Sequence, residues 1–237
     1  MKRIFASLFS LIVINCHAQK VEVLKKADVG NLTEGKVFAF IQPSTDTSTM
    51  QFVATFAAKV RGKKAAIELL YYEIRKKATK LGANCYKINS FTRNTSKNEC
   101  ELILDSYAAS DTLIDINTAN HEKNVVFVFG RENEDDKPVT LNVNGETKEI
   151  KAGHYLRLEL IEGKELKLNK GGAVGGSTAW LNWEKDKLPQ FYTLTGFGLS
   201  SITQQPANGI TFNTGRINRI NNMSVGFLLV KLLKENN

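Results

Sequence analysis

The chain has 237 residues, of which 42% are hydrophobic and 24% are charged, and its formal net charge is +8. A chain of this length can bury a sizeable core without disulfide staples, so the two cysteines that follow its N-terminal leader are optional for stability. Beyond the first residues no apolar run approaches the roughly 20 residues that a membrane-spanning helix needs. The sequence therefore predicts no transmembrane segment after its N-terminal leader.

The N-terminus has the pattern of a cleaved signal peptide over residues 1–18. A positively charged start precedes an apolar run at 4–14, which is too short to span a bilayer, and cleavage is expected after Ala18. The alternative is a lipoprotein acylated at Cys16, but Asn15 stands where a lipobox has a small residue. We predict an exported protein that is periplasmic, outer-membrane-associated or extracellular.

Residues 19–110 predict a small ββαββ domain with one main helix on an antiparallel sheet. Its strands are predicted at 36–41, 51–60, 84–92 and 99–108. The first two strands flank a polar turn segment, which predicts a hairpin. The helix is expected over about 63–80, where apolar residues recur at helical spacing, and Gly82 follows its last apolar position.

Two basic stretches, residues 59–64 and 75–80, flank or lie on this helix. They could form a patch for nucleic acid or for another anionic surface. However, Glu68 and Glu73 are interspersed, and no aromatic stacking platform accompanies the charge. A solvated helix face is the favoured interpretation, and no nucleic-acid partner is expected.

Residues 111–123 are mostly polar and predict a linker, and residues 124–237 predict an all-β sandwich domain, so the fold class is α+β. Val125–Phe129 is a continuous apolar run, which is typical of a buried strand. The dipeptide Asn144-Gly145 is a strong hairpin signal between two short strands. Further strands are predicted at 155–160, 165–168, 191–194, 209–212 and 225–233. This regular alternation of strands and turns favours a sandwich.

Two parts of the chain resemble domains of exported bacterial proteins. Residues 74–100, with Gly82-Ala83-Asn84 at the end of the helix, resemble the small βαββ domains found in proteins such as envelope stress-sensing lipoproteins. The strand Val125–Phe129, the Asn144-Gly145 turn and the Gly-x-Tyr-x-Arg-x-Glu pattern of residues 153–159 resemble β-sandwich modules of Bacteroidetes-type bacteria. The resemblance implies a fold and an exported location, and it implies no particular chemistry.

The sequence contains no recognisable catalytic grouping. After the leader it has two histidines, His121 and His154, and a triad of Cys85, His154 and Asp105 has no nucleophile elbow to support it. The glycine-rich run at 170–178 has Ser177 where a phosphate loop has lysine. We expect no catalytic residue and no cofactor.

Cys85 and Cys100 are the cysteines of the mature chain, and their spacing does not match a zinc site. A disulfide between them would suit an oxidising compartment, although the predicted hairpin register separates them; two free buried cysteines are the alternative. The acidic run at 132–136 could bind calcium, but it lacks the glycine and the final glutamate of an EF-hand loop. A solvated loop is favoured there, and no metal site is expected.

Trp180, Trp183 and His154 are the residues that we predict to bind a partner. Exposed tryptophans favour recognition of sugars or proteins, whereas a tryptophan in a sandwich commonly belongs to the core. The leading hypothesis is an exported, non-enzymatic binding module whose partner is an envelope protein or a glycan, bound through sandwich loops or a free strand edge. The alternative is a hydrolase of glycans or peptides with Glu159 and Asp186 as acid and base.

Overall fold

The structure, a computed structural model, describes residues 20–30, 32–62, 66–171, 176–194 and 216–236. Within these ranges strands predominate over helices, in the mixed α+β class expected from the sequence. The elements are β1 (Lys20–Lys26), β2 (Ala39–Phe40), β3 (Gln51–Arg61), α1 (Ile67–Lys80), β4 (Cys85–Asn94), β5 (Glu99–Ala108), α2 (Asp111–Ala119), β6 (Val125–Phe129), β7 (Val139–Val143), β8 (Glu146–Ile150), β9 (His154–Glu159), β10 (Glu165–Lys170), β11 (Ser177–Asn182), β12 (Gln190–Leu194), β13 (Ile217–Ile220), α3 (Met223–Leu232) and β14 (Lys234–Glu235).

The first sheet, here called sheet I, has the strand order β1-β3-β5-β4-β2. Its strands are antiparallel except for β2, which runs parallel to β4. Helix α1 covers one face because Ile67, Leu70 and Ile74, three or four residues apart, are all buried against that face. The predicted main helix on a largely antiparallel sheet is therefore present.

The predicted hairpin between 36–41 and 51–60 is wrong, because β2 pairs with β4 and lies on the opposite side of the sheet from β3. The side chain of Asn117, on α2, holds the chain where it leaves β2. Its Oδ1 accepts a hydrogen bond from Gln42 N at 3.0 Å, and its Nδ2 donates to Phe40 O at 2.9 Å. These bonds satisfy backbone groups that a hairpin partner would otherwise have paired.

Helix α2 lies within the predicted linker. Its N-terminus is capped by Ser110, whose Oγ accepts a hydrogen bond from Leu113 N at 3.3 Å. The buried Asn117 connects the helix to β2 of sheet I through its hydrogen bond to Phe40 O. The segment predicted as a linker is therefore a helix that packs against this sheet.

The second half contains two further sheets that pack face to face. Sheet II has the order β13-β12-β6-β9-β14, with β12 parallel to β6, and sheet III has the order β11-β10-β7-β8. The side chains between them are almost all aliphatic, and we call them the sandwich core. They are Val126, Val128, Val139, Leu141, Val143, Ile150, Leu160, Leu166, Leu168, Leu181, Tyr192 and Leu194. The turn joining β7 and β8 has Asn144 at φ 50° and Gly145 at φ 93°, which confirms the predicted hairpin.

Sheet II is buried on its other face as well. Alternate residues of β6 face away from the sandwich core and join a second cluster, which we call the junction core. Its large aromatic members come from both sides of the predicted linker. They are Phe38, Phe40, Phe56, Tyr71, Tyr86, Phe127, Phe129, Tyr155, Phe191 and Phe227. The order of layers is therefore sheet III, sheet II, helices α3 and α1, and sheet I.

Helix α3 occupies residues for which the sequence predicted a strand at 225–233, and that prediction is wrong. An apolar run of this length suits a buried helix as well as a strand. Asn222 starts the helix, because its Oδ1 accepts hydrogen bonds from Ser224 N at 3.1 Å and from Val225 N at 3.4 Å. The helix lies between sheets I and II, so apolar residues occupy more than one of its faces.

Gly226 allows α3 to lie directly on β12. A Cβ atom at this position would be 2.3 Å from Cγ of Phe191, which is itself buried. The ring centroids of Phe191 and Phe227 are 5.1 Å apart, and those of Phe40 and Phe227 are 5.8 Å apart. Phe227 therefore contacts an aromatic ring from each half of the chain. The strand predicted at 209–212 lies outside the described residues.

Candidate functional site

The three residues predicted to bind a partner do not form one site. Trp180 is 58% exposed on the solvent face of β11, whereas Trp183 is half-buried against the sandwich core. His154 begins β9, and its Nδ1 lies 2.8 Å from Ala152 O. Because β11 lies beside β13 and β8 lies beside β9, Trp180 and His154 are at opposite lateral edges of the sandwich.

The carboxylates considered for a hydrolase are both exposed. Glu159 accepts from Arg157 at 2.9 Å, and Asp186 lies in a turn with φ 59°. The histidine of the triad considered above, His154, belongs to sheet II, whereas Cys85 and Asp105 belong to sheet I. Asp105 instead accepts a hydrogen bond from Thr55 Oγ1 at 2.6 Å.

Cys85 and Cys100 are both free and buried. Cys85 is opposite Tyr107 and Cys100 is opposite Arg93, so they lie at opposite ends of the β4–β5 ladder. At roughly 3.4 Å per residue the two Cα atoms are more than about 20 Å apart, far beyond the roughly 7 Å that a disulfide allows. The structure therefore contains two free cysteines and no disulfide bond between Cys85 and Cys100. Burial raises the pKa of Cys85 to about 12, which keeps its thiol protonated at neutral pH.

Glu132 forms the most deeply buried ion pair of the described structure, although the sequence favoured a solvated loop there. Its carboxylate pairs with Arg93, and the exposed fractions of the two side chains are 7% and 12%. Glu132 Oε1 also accepts from Ile67 N at 2.9 Å, at the start of α1. Arg93 in turn donates through Nη1 to Glu132 O and through Nε to Cys100 Sγ, the latter at 3.1 Å. The pair therefore joins β4, α1 and the loop after β6.

Burial opposes the charge on Arg93, but the neighbouring Glu132 charge and the bond to Cys100 outweigh it and raise the pKa of Arg93. Glu68, in the first turn of α1, is also buried rather than part of a solvated helix face. Burial, together with the negative charge of Glu132, raises the pKa of Glu68 to about 7. Two carboxyl groups and one guanidinium thus share this interior region.

His121 is buried and packs against the aromatic side chains of the junction core. Its ring stacks on Phe227 with centroids 3.7 Å apart. Burial, with Lys123 and Lys231 nearby, lowers the pKa of His121 to about 4, so the ring is neutral at pH 7.

A polar cavity of about 280 Å³ adjoins the Arg93–Glu132 pair. It is bounded by the end of β3, by the turn between β4 and β5, and by residues of the loop after β6. Its lining residues are Gly62, Arg93, Asn94, Thr95, Asn98, Glu99, Cys100, Asn133 and Asp136. Of the acidic run at 132–136, Glu132 is buried and Glu134 pairs with Lys234 at 3.0 Å. In the ranges that the structure describes, no group of three or more His, Cys, Asp or Glu side chains could hold a metal ion.

Sequence reasoning did not find the Arg93–Glu132 pair or the cavity beside it. The two residues are 39 positions apart, and neither belongs to a spacing motif. The sequence indicates the burial of Glu132 only indirectly, because this residue lies three positions after the fully buried strand β6.

None of the helices that the structure describes is both long and apolar enough to cross a membrane. The predicted signal peptide at 1–18 and residues 172–175 of the glycine-rich run lie outside the described residues. The chain matches no family model, no curated protein and no solved structure.

Proposed function

We propose that this chain is an exported, non-enzymatic binding protein of the cell envelope or of the extracellular space, and that Trp180 anchors its partner. The observation that carries the proposal is the 58% exposure of this side chain. Among the described residues it is the only aromatic side chain with such exposure. Leaving a tryptophan in water is unfavourable, and tryptophan is enriched among the residues that dominate binding energy.

The surroundings of Trp180 suit recognition of a polar partner. Lys167, opposite on β10, places its Nζ 5.9 Å from the tryptophan ring centroid. Glu165 and Asn182 form the neighbouring pair on the same two strands, and both are exposed. An aromatic ring surrounded by hydrogen-bonding groups can contact an envelope protein or a glycan. The export part of the proposal is supported by the leader pattern at 1–18 and by the resemblance to exported proteins.

The β1 edge of sheet I is less favourable as the binding element. The long outer strand of sheet I, β1, has a bulge between Val23 and Lys25 and carries several lysines. Bulges and lysines on an edge strand hinder the addition of another strand. We therefore place the partner on the face of sheet III rather than on this edge.

The alternative function, a hydrolase of glycans or peptides, would need Glu159 and Asp186 to converge in a cleft. Both carboxylates are exposed to solvent, and they lie on different elements, β9 and the turn before β12. No observation in the described structure favours this alternative over the binding protein.

The test is a pull-down with the mature chain from the envelope fraction of its native host, in parallel with a glycan array. Trp180→Ala is expected to reduce recovery of the partner at least about tenfold, because loss of a central tryptophan anchor costs about 2 kcal/mol or more. Ile161→Ala is the matched control, since Ile161 is a 52% exposed hydrophobic residue on a turn. Equal recovery with both variants would exclude Trp180 as the anchor.

Mass spectrometry of protein purified from the host tests the export part separately. A mature N-terminus at Gln19 is expected. Intact Met1 would contradict export by this leader, and a lipid-modified Cys16 would show a lipoprotein instead.

A further inference from the structure

The polar cavity beside Arg93 has walls that are held in place. Gly62 N donates to Asn98 O at 2.7 Å, which connects the end of β3 to the β4–β5 turn. Asp136 N donates to Asn133 O at 3.0 Å, which fixes the loop on the opposite side. At the back, Arg93 is immobilised by Glu132 and Cys100. A site with walls fixed before binding loses little conformational entropy when a ligand enters.

Several polar side chains in this cavity have no hydrogen-bond partner among the described residues. Thr95, Asn98, Asn133 and Asp136 line it, and their side chains make no hydrogen bond to any part of the chain that the structure describes. Two amides, a hydroxyl and a carboxylate offer both donors and acceptors in one small space.

The charges that the described residues bring to the cavity favour neither an anion nor a cation. Arg93 is neutralised by Glu132, and Glu99 is neutralised by Lys59 and by Arg61, whose Nη2 lies 2.8 Å from the Glu99 carboxylate. The carboxylate of Asp136 has no such partner among the described residues, but Glu99 is paired with two cations, so the charges of these six described residues sum to zero. A neutral ligand with many hydroxyl groups matches both the charge and the mixed donors and acceptors.

We propose that this cavity binds one unit of a neutral saccharide, with Asn98 and Asn133 as the main contacts from its two walls. A volume of about 280 Å³ lies just below the usual range for small-molecule sites and suits a single sugar ring rather than a larger ligand. The site is separate from the face that carries Trp180, since it lies beside sheet I while Trp180 lies on sheet III. The proposal therefore does not depend on the partner proposed for Trp180.

The experiment is a titration of the ¹⁵N-labelled mature chain, followed by NMR, with glucose, galactose, mannose and N-acetylglucosamine, and with inorganic phosphate as an anionic probe. At least one sugar is expected to bind with a Kd at or below about 1 mM. The amide signals that move should be those of residues 94–98 and 133–136.

Asn98→Gly combined with Asn133→Ala removes both amides, and glycine retains the left-handed backbone at Asn98, where φ is 47°. This double variant is expected to bind the sugar at least about tenfold more weakly. Asp136→Ala changes an exposed position and provides a second test should the double variant fail to fold. Ile161→Ala, at an exposed position between β9 and β10, is the control and should leave the Kd unchanged.

The proposal is overturned if none of the four sugars binds when its concentration is about 10 mM, ten times the highest expected Kd. It is also overturned if phosphate binds in place of the sugars, if the signals that move belong to sheet III, or if neither the double variant nor Asp136→Ala weakens binding.

Discussion

The sandwich core and the junction core are built from different chemistry. The sandwich core is almost wholly aliphatic, and β7 and β10 of sheet III contribute to it through alternate buried residues. The junction core is rich in aromatic rings, and the Arg93–Glu132 pair lies near its edge. Aliphatic side chains fill the even space between two regular sheets. The space between helices, a sheet and several loops is less even, and here it is filled by larger aromatic rings and bridged by an ion pair. We therefore expect single substitutions to lower the unfolding free energy more in the junction core than in the sandwich core.

The largest effect should come from Glu132→Ala. The substitution leaves the Arg93 guanidinium buried without its carboxylate and leaves Ile67 N without an acceptor. Removing one partner of a buried ion pair costs about 3 to 5 kcal/mol of unfolding free energy. Urea denaturation followed by circular dichroism measures the change.

Glu134→Ala is the matched control, because its ion pair with Lys234 is exposed and should contribute within about 1 kcal/mol. If the two variants lost the same stability, the buried pair would have no special role at the junction.

Leu168→Ala tests the sandwich core in the same assay. Leu168 is completely buried between sheets II and III, and its truncation should cost about 2 to 5 kcal/mol through lost burial and a cavity. Leu168→Met should cost less than about 1.5 kcal/mol, because the core tolerates swaps of similar volume. A large loss for the methionine variant would show that the sandwich is as intolerant as the junction.

Gly226→Ala should destabilise the protein by about 1 to 3 kcal/mol even though alanine favours a helix by up to about 1 kcal/mol. The added methyl group would overlap the buried ring of Phe191. Leucine at position 191 would leave more room for the added methyl group. Gly226→Ala should therefore cost less stability in the Phe191→Leu variant than in the unmodified chain. Thermal denaturation of the four proteins gives the coupling energy, and a value of zero would contradict this contact.

The last effect depends on pH. The pKa of Glu68 is about 7 in the folded protein against a usual 4.5, so the folded state binds the proton more tightly. Its contribution to stability is therefore complete below about pH 4.5 and is lost as the pH rises through about 7. Glu68→Gln resembles the protonated form and should gain stability relative to the unmodified chain between about pH 5 and pH 8.

His121 acts in the opposite direction, because its lowered pKa of about 4 removes stability as the pH falls below its usual 6.5. Comparing Glu68→Gln with the unmodified chain in urea at each pH cancels the His121 contribution. A difference that did not vary with pH would show that Glu68 has an ordinary pKa.

The local patterns in the sequence predicted the parts of the fold that depend on neighbouring residues. Helix α1, the strand β6 and the Asn144-Gly145 hairpin each have a short-range signature, and each is present. The partial burial of Trp183 and the exposure of Trp180 were both considered from the sequence, but nothing local distinguishes one from the other.

The incorrect predictions concern residues whose structure depends on distant partners. Helix α3 lies between two sheets, so its apolar run lacks the polar face that would have distinguished it from a strand. β2 pairs with β4 and not with its nearest strand in sequence, because Asn117 binds the chain that follows it. The Arg93–Glu132 pair and the cavity likewise combine segments far apart in the chain.

The separation of Cys85 and Cys100 has a consequence for how the chain matures. In an oxidising environment a bond between these thiols could form only before β4 and β5 have paired, because the completed ladder keeps them apart. Folding therefore competes with oxidation, and an oxidised monomer would mark a molecule that had been trapped outside its native state.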